Sequence, residues 1–264
     1  MNVIQNMQIC KFKVDKFEDV VDELIVEFPF EIYVNDEKLI TLMCTPSNLE
    51  YLAVGYLFSE GIIKNYKDIE EIVINKNNNA FIYTHNKIDL TCKHSNRTKT
   101  SGCGNGTMAN QEFDELKISH NFFSNISLEK IAEMENSLME MSGLFNRTGG
   151  VHNSSLWDSE KMIMFHEDIG RHNTIDKIVG ESLIKNIDLS NKIIFTSGRI
   201  SSEMLIKSVK AGITIVISRS AVTSKAKEIA DKLEITLIGF SRKNRFNIYS
   251  DKYSVVDMKI KKDV

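Results

Sequence analysis

No long apolar run, no excess of one charge sign and no paired cysteine spacing occur in this chain of 264 residues, and each absence removes a class of protein. A helical membrane span needs about 20 consecutive apolar residues, and none is present. The stretch Met1 to Met7 opens into polar residues, so neither a secretory signal nor membrane association is expected. With 33 Lys and Arg against 36 Asp and Glu, the formal net charge of -3 offers no global basic field, and nucleic acid is not expected as a partner. The four cysteines, Cys10, Cys44, Cys92 and Cys103, are scattered, which argues against a disulfide framework and for free thiols in a reducing cytoplasm. Apolar content of 42% and charged content of 26% are those of an ordinary globular protein, long enough for one large domain or two small ones.

The first part reads as a small mixed unit. Strands are expected around Ile25 to Phe30 and Glu31 to Cys44, bent near Pro29. A helix follows, with Thr45 as its cap, Pro46 in its first turn, Glu50 complementing the dipole, an apolar face of Leu49, Leu52, Ala53, Tyr56 and Leu57, and Gly61 past its end. Glu71 to Asn75 and Ala80 to Tyr83 predict a hairpin. A polar, Gly-rich and Ser-rich stretch from about Thr91 to Asn110 marks the domain boundary. Three regions follow: residues 1–95, a small α+β domain; 96–110, a mobile linker; and 111–264, a larger α/β domain.

In that larger region Ser127 opens a helix with Ile131, Met134, Leu138 and Met141 at the 3.6 period, ending near Gly143. Two short strands flank Asp158-Ser159-Glu160, and an amphipathic helix carrying Ile175, Ile178, Val179 and Leu183 follows Glu167 to Asn173. From Lys192 onward the pattern is strand, helix, strand, helix, strand, strand, which predicts a mostly parallel sheet with helices on its faces.

Cys103 stands apart from the other thiols. Its neighbours, Thr100-Ser101-Gly102 and Gly104-Asn105-Gly106-Thr107, are small or polar, and Arg97 and Lys99 are close enough in sequence to favour a thiolate. A structural cysteine is normally set among apolar residues. Two readings stay open at this point: a solvent-reachable nucleophile, or an incidental cysteine in a flexible loop.

The strand ends supply the second chemistry. In open α/β sheets ligands bind beyond the carboxyl ends of the strands. Those ends read Thr196-Ser197-Gly198-Arg199, Ser218-Arg219-Ser220 and Phe240-Ser241-Arg242-Lys243-Asn244-Arg245. Arginine forks, hydroxyls and helix amino termini on one edge suit a large polyphosphate ligand.

Five blocks in order also carry a resemblance: Thr45-Pro46 through Gly61-Ile62-Ile63, Gly149-Gly150-Val151-His152, Glu167-Asp168-Ile169-Gly170-Arg171-His172-Asn173, Thr196-Ser197-Gly198-Arg199, and Gly239-Phe240 through Asn247-Ile248-Tyr249-Ser250. Together they resemble the FdhD/NarQ family, the formate dehydrogenase accessory sulfurtransferases. The resemblance implies a cytoplasmic protein that takes persulfide sulfur from a cysteine desulfurase and passes it to the molybdenum or tungsten centre of the bis(molybdopterin guanine dinucleotide) cofactor, as formate dehydrogenase requires. It implies Cys103 as the persulfide carrier, residues Phe240, Ser241, Arg242, Lys243, Asn244 and Arg245 as the cofactor-binding segment with room for a GDP-like moiety, a cytidine deaminase-like fold for the larger domain, and a homodimer.

One departure stands out. Many relatives carry Cys-x-x-Cys in this loop, whereas here Cys103 has no second cysteine nearby, which speaks against a mechanism needing an internal disulfide and bears on the activity itself. His152, Arg171 and His172 are further pocket candidates. Two rival functions are a cofactor-binding chaperone that moves no sulfur, and a zinc hydrolase. The second wants His-x-Glu or Cys-x-Glu followed by Pro-Cys-x-x-Cys, which is missing. Cys92-Lys93-His94 with Cys103 is a weak metal grouping, and no bound metal is expected.

Overall fold

A computed structural model describes residues 1–77, 79–86, 98–99, 107–108, 126–243, 245–252 and 256–257. The chain opens with β1 (Ile4–Lys13) and β2 (Lys16–Ile25), an antiparallel two-stranded ribbon turning through Val14 and Asp15, both at positive φ. That is the paired left-handed geometry that matches strand twist in two-residue hairpins, and it costs a β-branched valine more than it would Asn or Gly. The base of the ribbon packs toward the larger unit, where Arg147 forks onto Glu23.

β3 (Phe28–Val34), β4 (Glu37–Cys44), β5 (Ile69–Ile74) and β6 (Ala80–Thr84) form a sheet in the order β4-β3-β6-β5. The expected hairpin of β5 and β6 is present. Helix α1 (Leu49–Ser59) covers this sheet, burying Leu52, Ala53 and Leu57 against Phe30, Ile32 and Ile82. Thr45 does not cap it: the residue before the helix is Asn48, in the left-handed region and without a side-chain cap bond. Thr45 is buried instead. Its hydroxyl accepts from the Ile169 amide at 3.1 Å, and its own amide donates to Asp168 Oδ2 at 3.2 Å. Tertiary hydrogen bonding to the larger unit therefore takes the group that local pattern assigns to capping.

β7 (Thr98–Lys99) and β8 (Thr107–Met108) pair antiparallel, so the chain on either side of residues 100–106 runs side by side. Helix α2 (Leu128–Met141) begins where expected, with Ser127 accepting from the Lys130 amide at 3.1 Å. Ile131, Met134 and Leu138 are buried, but Met141 is exposed, because a further short helix, α3 (Gly143–Thr148), turns away directly after it.

The larger sheet contains β9 (His152–Trp157), β10 (Met162–Asp168), β11 (Ile193–Thr196), β12 (Ile215–Ser218), β13 (Thr236–Arg242) and β14 (Arg245–Ser250), in the order β10-β9-β11-β12-β13-β14. It is mixed rather than mostly parallel. Only β11, β12 and β13 run parallel, joined by α5 (Ser202–Lys210) and α6 (Ser224–Lys232); the flanking strands are antiparallel. The alternation of strand and helix reports the central crossovers, while the hairpin partners at each side reverse direction. Consecutive residues point to opposite faces: Ile194, Val216 and Leu237 pack with α5 and α6, and Ile193, Phe195 and Ile215 pack with Trp157 and α2.

Helix α4 (Arg171–Ile184) is not amphipathic in its setting. Residues 172–182 are all buried, because α4 lies between the large sheet and α1. The α1–α4 crossing depends on two glycines: a Cβ at Gly55 would sit 1.8 Å from the Asp176 carbonyl oxygen, and one at Gly180 would sit 1.9 Å from that of Tyr51. Buried ion pairs accompany it. Lys177 and Asp168, both 0% exposed, meet at 2.6 Å, and Lys207 meets Asp176 at 2.6 Å, with the Ser59 hydroxyl donating to the second Asp176 oxygen. Among the described residues, no helix is long and apolar enough to cross a membrane.

Candidate functional site on one edge of the large sheet

The three arginine-bearing strand ends do share one edge. Thr196 pairs with Ser218 across β11 and β12, the Arg219 amide donates to the Thr196 carbonyl, and the Phe240 amide donates to that of Ser220 at 2.9 Å. Ser218 Oγ also reaches the Gly198 carbonyl at 2.6 Å, so the first two loops are tied side by side. The antiparallel partners bring more to the same edge. β9 starts there with His152, β10 ends there with Asp168 opposite His152, and α4 begins immediately after at Arg171. Reciprocal bonds fix this junction: the Asn153 amide donates to Ser197 Oγ, and the Ser197 amide to the Asn153 carbonyl, both at 2.9 Å.

The arginines are not equivalent. Arg219 is half-buried, with Nε 3.4 Å from Glu135 Oε1 and a terminal nitrogen against Met139 Sδ, so α2 holds it in place. Glu135 also accepts from the Lys243 amide at 3.1 Å, tying the β13–β14 turn to the same carboxylate. Arg242 donates through Nε to the Arg219 carbonyl at 2.7 Å and is exposed, as are Arg199 and Arg245. Glu135 and Met139 were missed in the sequence, where they read only as positions on α2; which cation a buried carboxylate meets is a tertiary fact.

The expected binding segment has an unusual backbone. Phe240 adopts φ +53 and Lys243 φ +50, at a register shift between β13 and β14, and the Phe240 ring is 42% exposed. Non-glycine residues in this region carry strain of about 1–3 kcal/mol and persist where surrounding structure imposes them. Here Gly239 is the packed residue: a Cβ on it would stand 2.9 Å from both Tyr249 and Val222. Ser241 is buried, Arg242, Lys243 and Arg245 are exposed, and Asn244 lies outside the described residues. Ser241 and Arg245 also line a groove of about 880 Å³ against α2, but Glu129, Glu133 and Glu140 line its other side, which makes it a poor bed for phosphate.

The histidines are neutral in this setting. Burial, then the Arg171 and Arg199 charges, push His152 below its ordinary value. Burial and the charges of Lys207, Arg171 and His152 take His172 down to about 3. Among the thiols, Cys10 is exposed and Cys44 is buried, where desolvation and the Asp168 charge raise its pKa to about 12. Cys92 and Cys103 lie outside the described residues; β7 and β8 bracket the segment that contains Cys103.

Known proteins match this chain along most of its length. Residues 25–256 match the FdhD/NarQ family. The chain belongs to that family. The sulfur carrier protein FdhD of Listeria monocytogenes serotype 4b (strain F2365) is 37% identical over 255 residues, covering 95% of this chain and 98% of the relative. That of Bacillus subtilis (strain 168) is 37% identical over 247 residues, covering 92% and 94%. A crystal structure described as a formate dehydrogenase accessory protein from Desulfotalea psychrophila superposes with a TM-score of 0.80 over 97% of this chain and 100% of that one, at 24% identity, and so shares its fold. Three of the sequence blocks that carried the resemblance, separated along the chain, meet at the edge described above: His152, the Asp168 to Asn173 turn, and Thr196 to Arg199.

Proposed function

We propose that this protein is a cytoplasmic sulfur carrier that accepts persulfide sulfur from a cysteine desulfurase on Cys103 and delivers it to the bis(molybdopterin guanine dinucleotide) cofactor for formate dehydrogenase, acting as a homodimeric sulfurtransferase. Family membership supports the carrier role, since close relatives are named for it. The observation that carries the cofactor half is the single sheet edge on which Arg199, Arg242 and Arg245 stand exposed beside a protruding Phe240. Guanidinium groups fork onto phosphate oxygens, and an exposed aromatic offers a face for a nucleobase such as that of a GDP-like moiety. Phe240, Ser241, Arg242, Lys243, Asn244 and Arg245 are the proposed cofactor segment.

The loading step needs one thiolate only. Cys103 Sγ attacks the terminal sulfur of the donor persulfide, a new S–S bond forms, the donor S–S bond breaks, and the donor thiolate departs. No second loop cysteine is required for that exchange. Incubation with a cysteine desulfurase and cysteine, followed by mass spectrometry, is expected to show an adduct of about 32 Da on Cys103 that reductant removes. Absence of the adduct counts against the carrier role. If Cys103→Ala still binds cofactor and still activates formate dehydrogenase in cells lacking the wild-type protein, the chaperone reading replaces it.

A further inference from the structure

Helix α2 sends one buried carboxylate into the binding edge. Glu135 is 8% exposed, and a charge so far out of water persists only where it is paired. Both of its oxygens are engaged by loops of the edge. Oε1 stands 3.4 Å from Arg219 Nε, just past the end of β12, and Oε2 accepts from the Lys243 amide at 3.1 Å, in the β13–β14 turn. The Arg219 contact is electrostatic, since its buried Nε is outside hydrogen-bond alignment with the carboxylate. Met139, further along α2, meets a terminal nitrogen of the same guanidinium.

Arg219 passes the restraint on. Its carbonyl accepts from Arg242 Nε at 2.7 Å, and the carbonyl of the next residue, Ser220, accepts from the Phe240 amide at 2.9 Å. Phe240 and Arg242 are therefore held on the Arg219–Ser220 loop, and Lys243 is held on Glu135 directly. Lys243 sits at φ +50, a conformation that a lysine does not adopt unless its surroundings impose it, and the Glu135 bond to its amide is such a restraint. Arg219 faces a carboxylate of its own, while Arg242 and Arg245 are exposed.

We propose that Glu135 is a positioning residue, which fixes the β13–β14 turn and the Arg219 loop in the conformation that receives the anionic ligand without touching that ligand. This role rests on the cofactor reading of residues 240–245. A segment ordered in advance loses less conformational freedom on binding, so Glu135 acts through affinity. A carboxylate placed only to stabilise α2 would leave the affinity of the folded protein unchanged.

GDP titrated into the full chain by calorimetry tests this role, together with amide hydrogen exchange at Lys243 followed by NMR. Glu135→Ala is expected to weaken GDP binding about tenfold and to speed Lys243 exchange about tenfold or more. Glu135→Gln keeps an acceptor oxygen for that amide and is expected to restore protection, with affinity within about threefold of the wild type. Ser127→Ala removes the cap of α2 about two turns away and is expected to lower the melting temperature with GDP affinity within about twofold.

Wild-type binding with Glu135→Ala within about twofold, or an equal loss in Ser127→Ala, overturns the role of Glu135 and leaves the cofactor reading standing. No GDP binding by the wild type overturns the cofactor reading, and the role falls with it. Glu135→Asp covers an alanine variant that fails to fold: it keeps the charge but is one methylene short of the Lys243 amide, and about a fivefold loss with unprotected Lys243 is expected. Wild-type affinity in Glu135→Asp, or a Lys243 amide that exchanges in the wild type as fast as in an unstructured peptide, also overturns the role.

Discussion

At the scale of single residues, backbone strain and the proposed cofactor role coincide at Phe240. Its positive φ and open ring are hard to explain by packing, since an exposed aromatic contributes little to a core and glycine would take the same backbone without cost. Phe240→Gly is therefore expected to keep or raise the melting temperature while lowering GDP affinity about tenfold, the loss of one stacked base. A fall in both, measured by thermal denaturation and calorimetry, would make the ring structural. The buried histidines set a second residue-scale expectation. His166, bonded to Glu181 at 2.6 Å, and His172 both have native pKa values lowered chiefly by burial. Below about pH 6.5 the unfolded chain binds more protons than the native one, so stability present above that pH is lost as pH falls, for His172 on down to about 3. The unfolding free energy from urea titration should therefore drop between pH 7.5 and 5.5 by roughly 1–2 kcal/mol, and His172→Gln should flatten that slope.

Among the elements, those whose signal is local were legible, and those whose reason is tertiary were not. Ser127 caps α2 as its sequence states, and the β5–β6 hairpin and the strand-helix alternation after Lys192 follow from spacing. The β1–β2 ribbon was not legible, because its turn uses Val14 at positive φ, where Asn-Gly would have announced it; Asn35 and Asp36 make the equivalent turn between β3 and β4 with more permissive residues. The role of Thr45 and the burial of α4 on all sides depend on a partner element more than a hundred residues away. Gly55 is the sharpest case: it looks like a weak point in a helix and is a contact. Gly55→Ala is expected to cost about 3 kcal/mol by forcing α1 from α4, whereas Gly61→Ala, with nothing within 4 Å of the added carbon and only its φ of +66 to oppose it, should cost about 1 kcal/mol. Equal costs in chemical denaturation would mean that the helix crossing is not close.

On the scale of the whole molecule, the same crossing packs the two larger sheets together through α1 and α4. Lys177 reaches the Thr45 and Glu167 carbonyls as well as Asp168, and Asp168 also accepts from Gly170 and Asn173, so the smaller unit, the end of β10 and α4 meet at one buried carboxylate. Far-UV circular dichroism and Trp157 fluorescence, which reports the larger unit alone, are expected to give coincident urea transitions. Lys177→Met leaves Asp168 buried and unpaired and should destabilise the protein by about 3–5 kcal/mol. Separate transitions in the wild type would show that the units fold independently. The edge that carries the candidate site was readable because parallel strands end together; His152 and Arg171 were named as pocket candidates, but that the antiparallel β9 and β10 bring them to this same edge depends on strand pairing that spacing does not state.

The burial of Cys44 has a consequence for chemistry in solution. With its thiol raised to about 12, almost none of it is thiolate at neutral pH, so alkylating reagents and persulfide donors alike pass it by. Exposed Cys10 is the internal reference: a modification found there and on Cys103 alike reports reagent excess, and one found on Cys103 alone reports selectivity. The folded protein thus comes with its own blank.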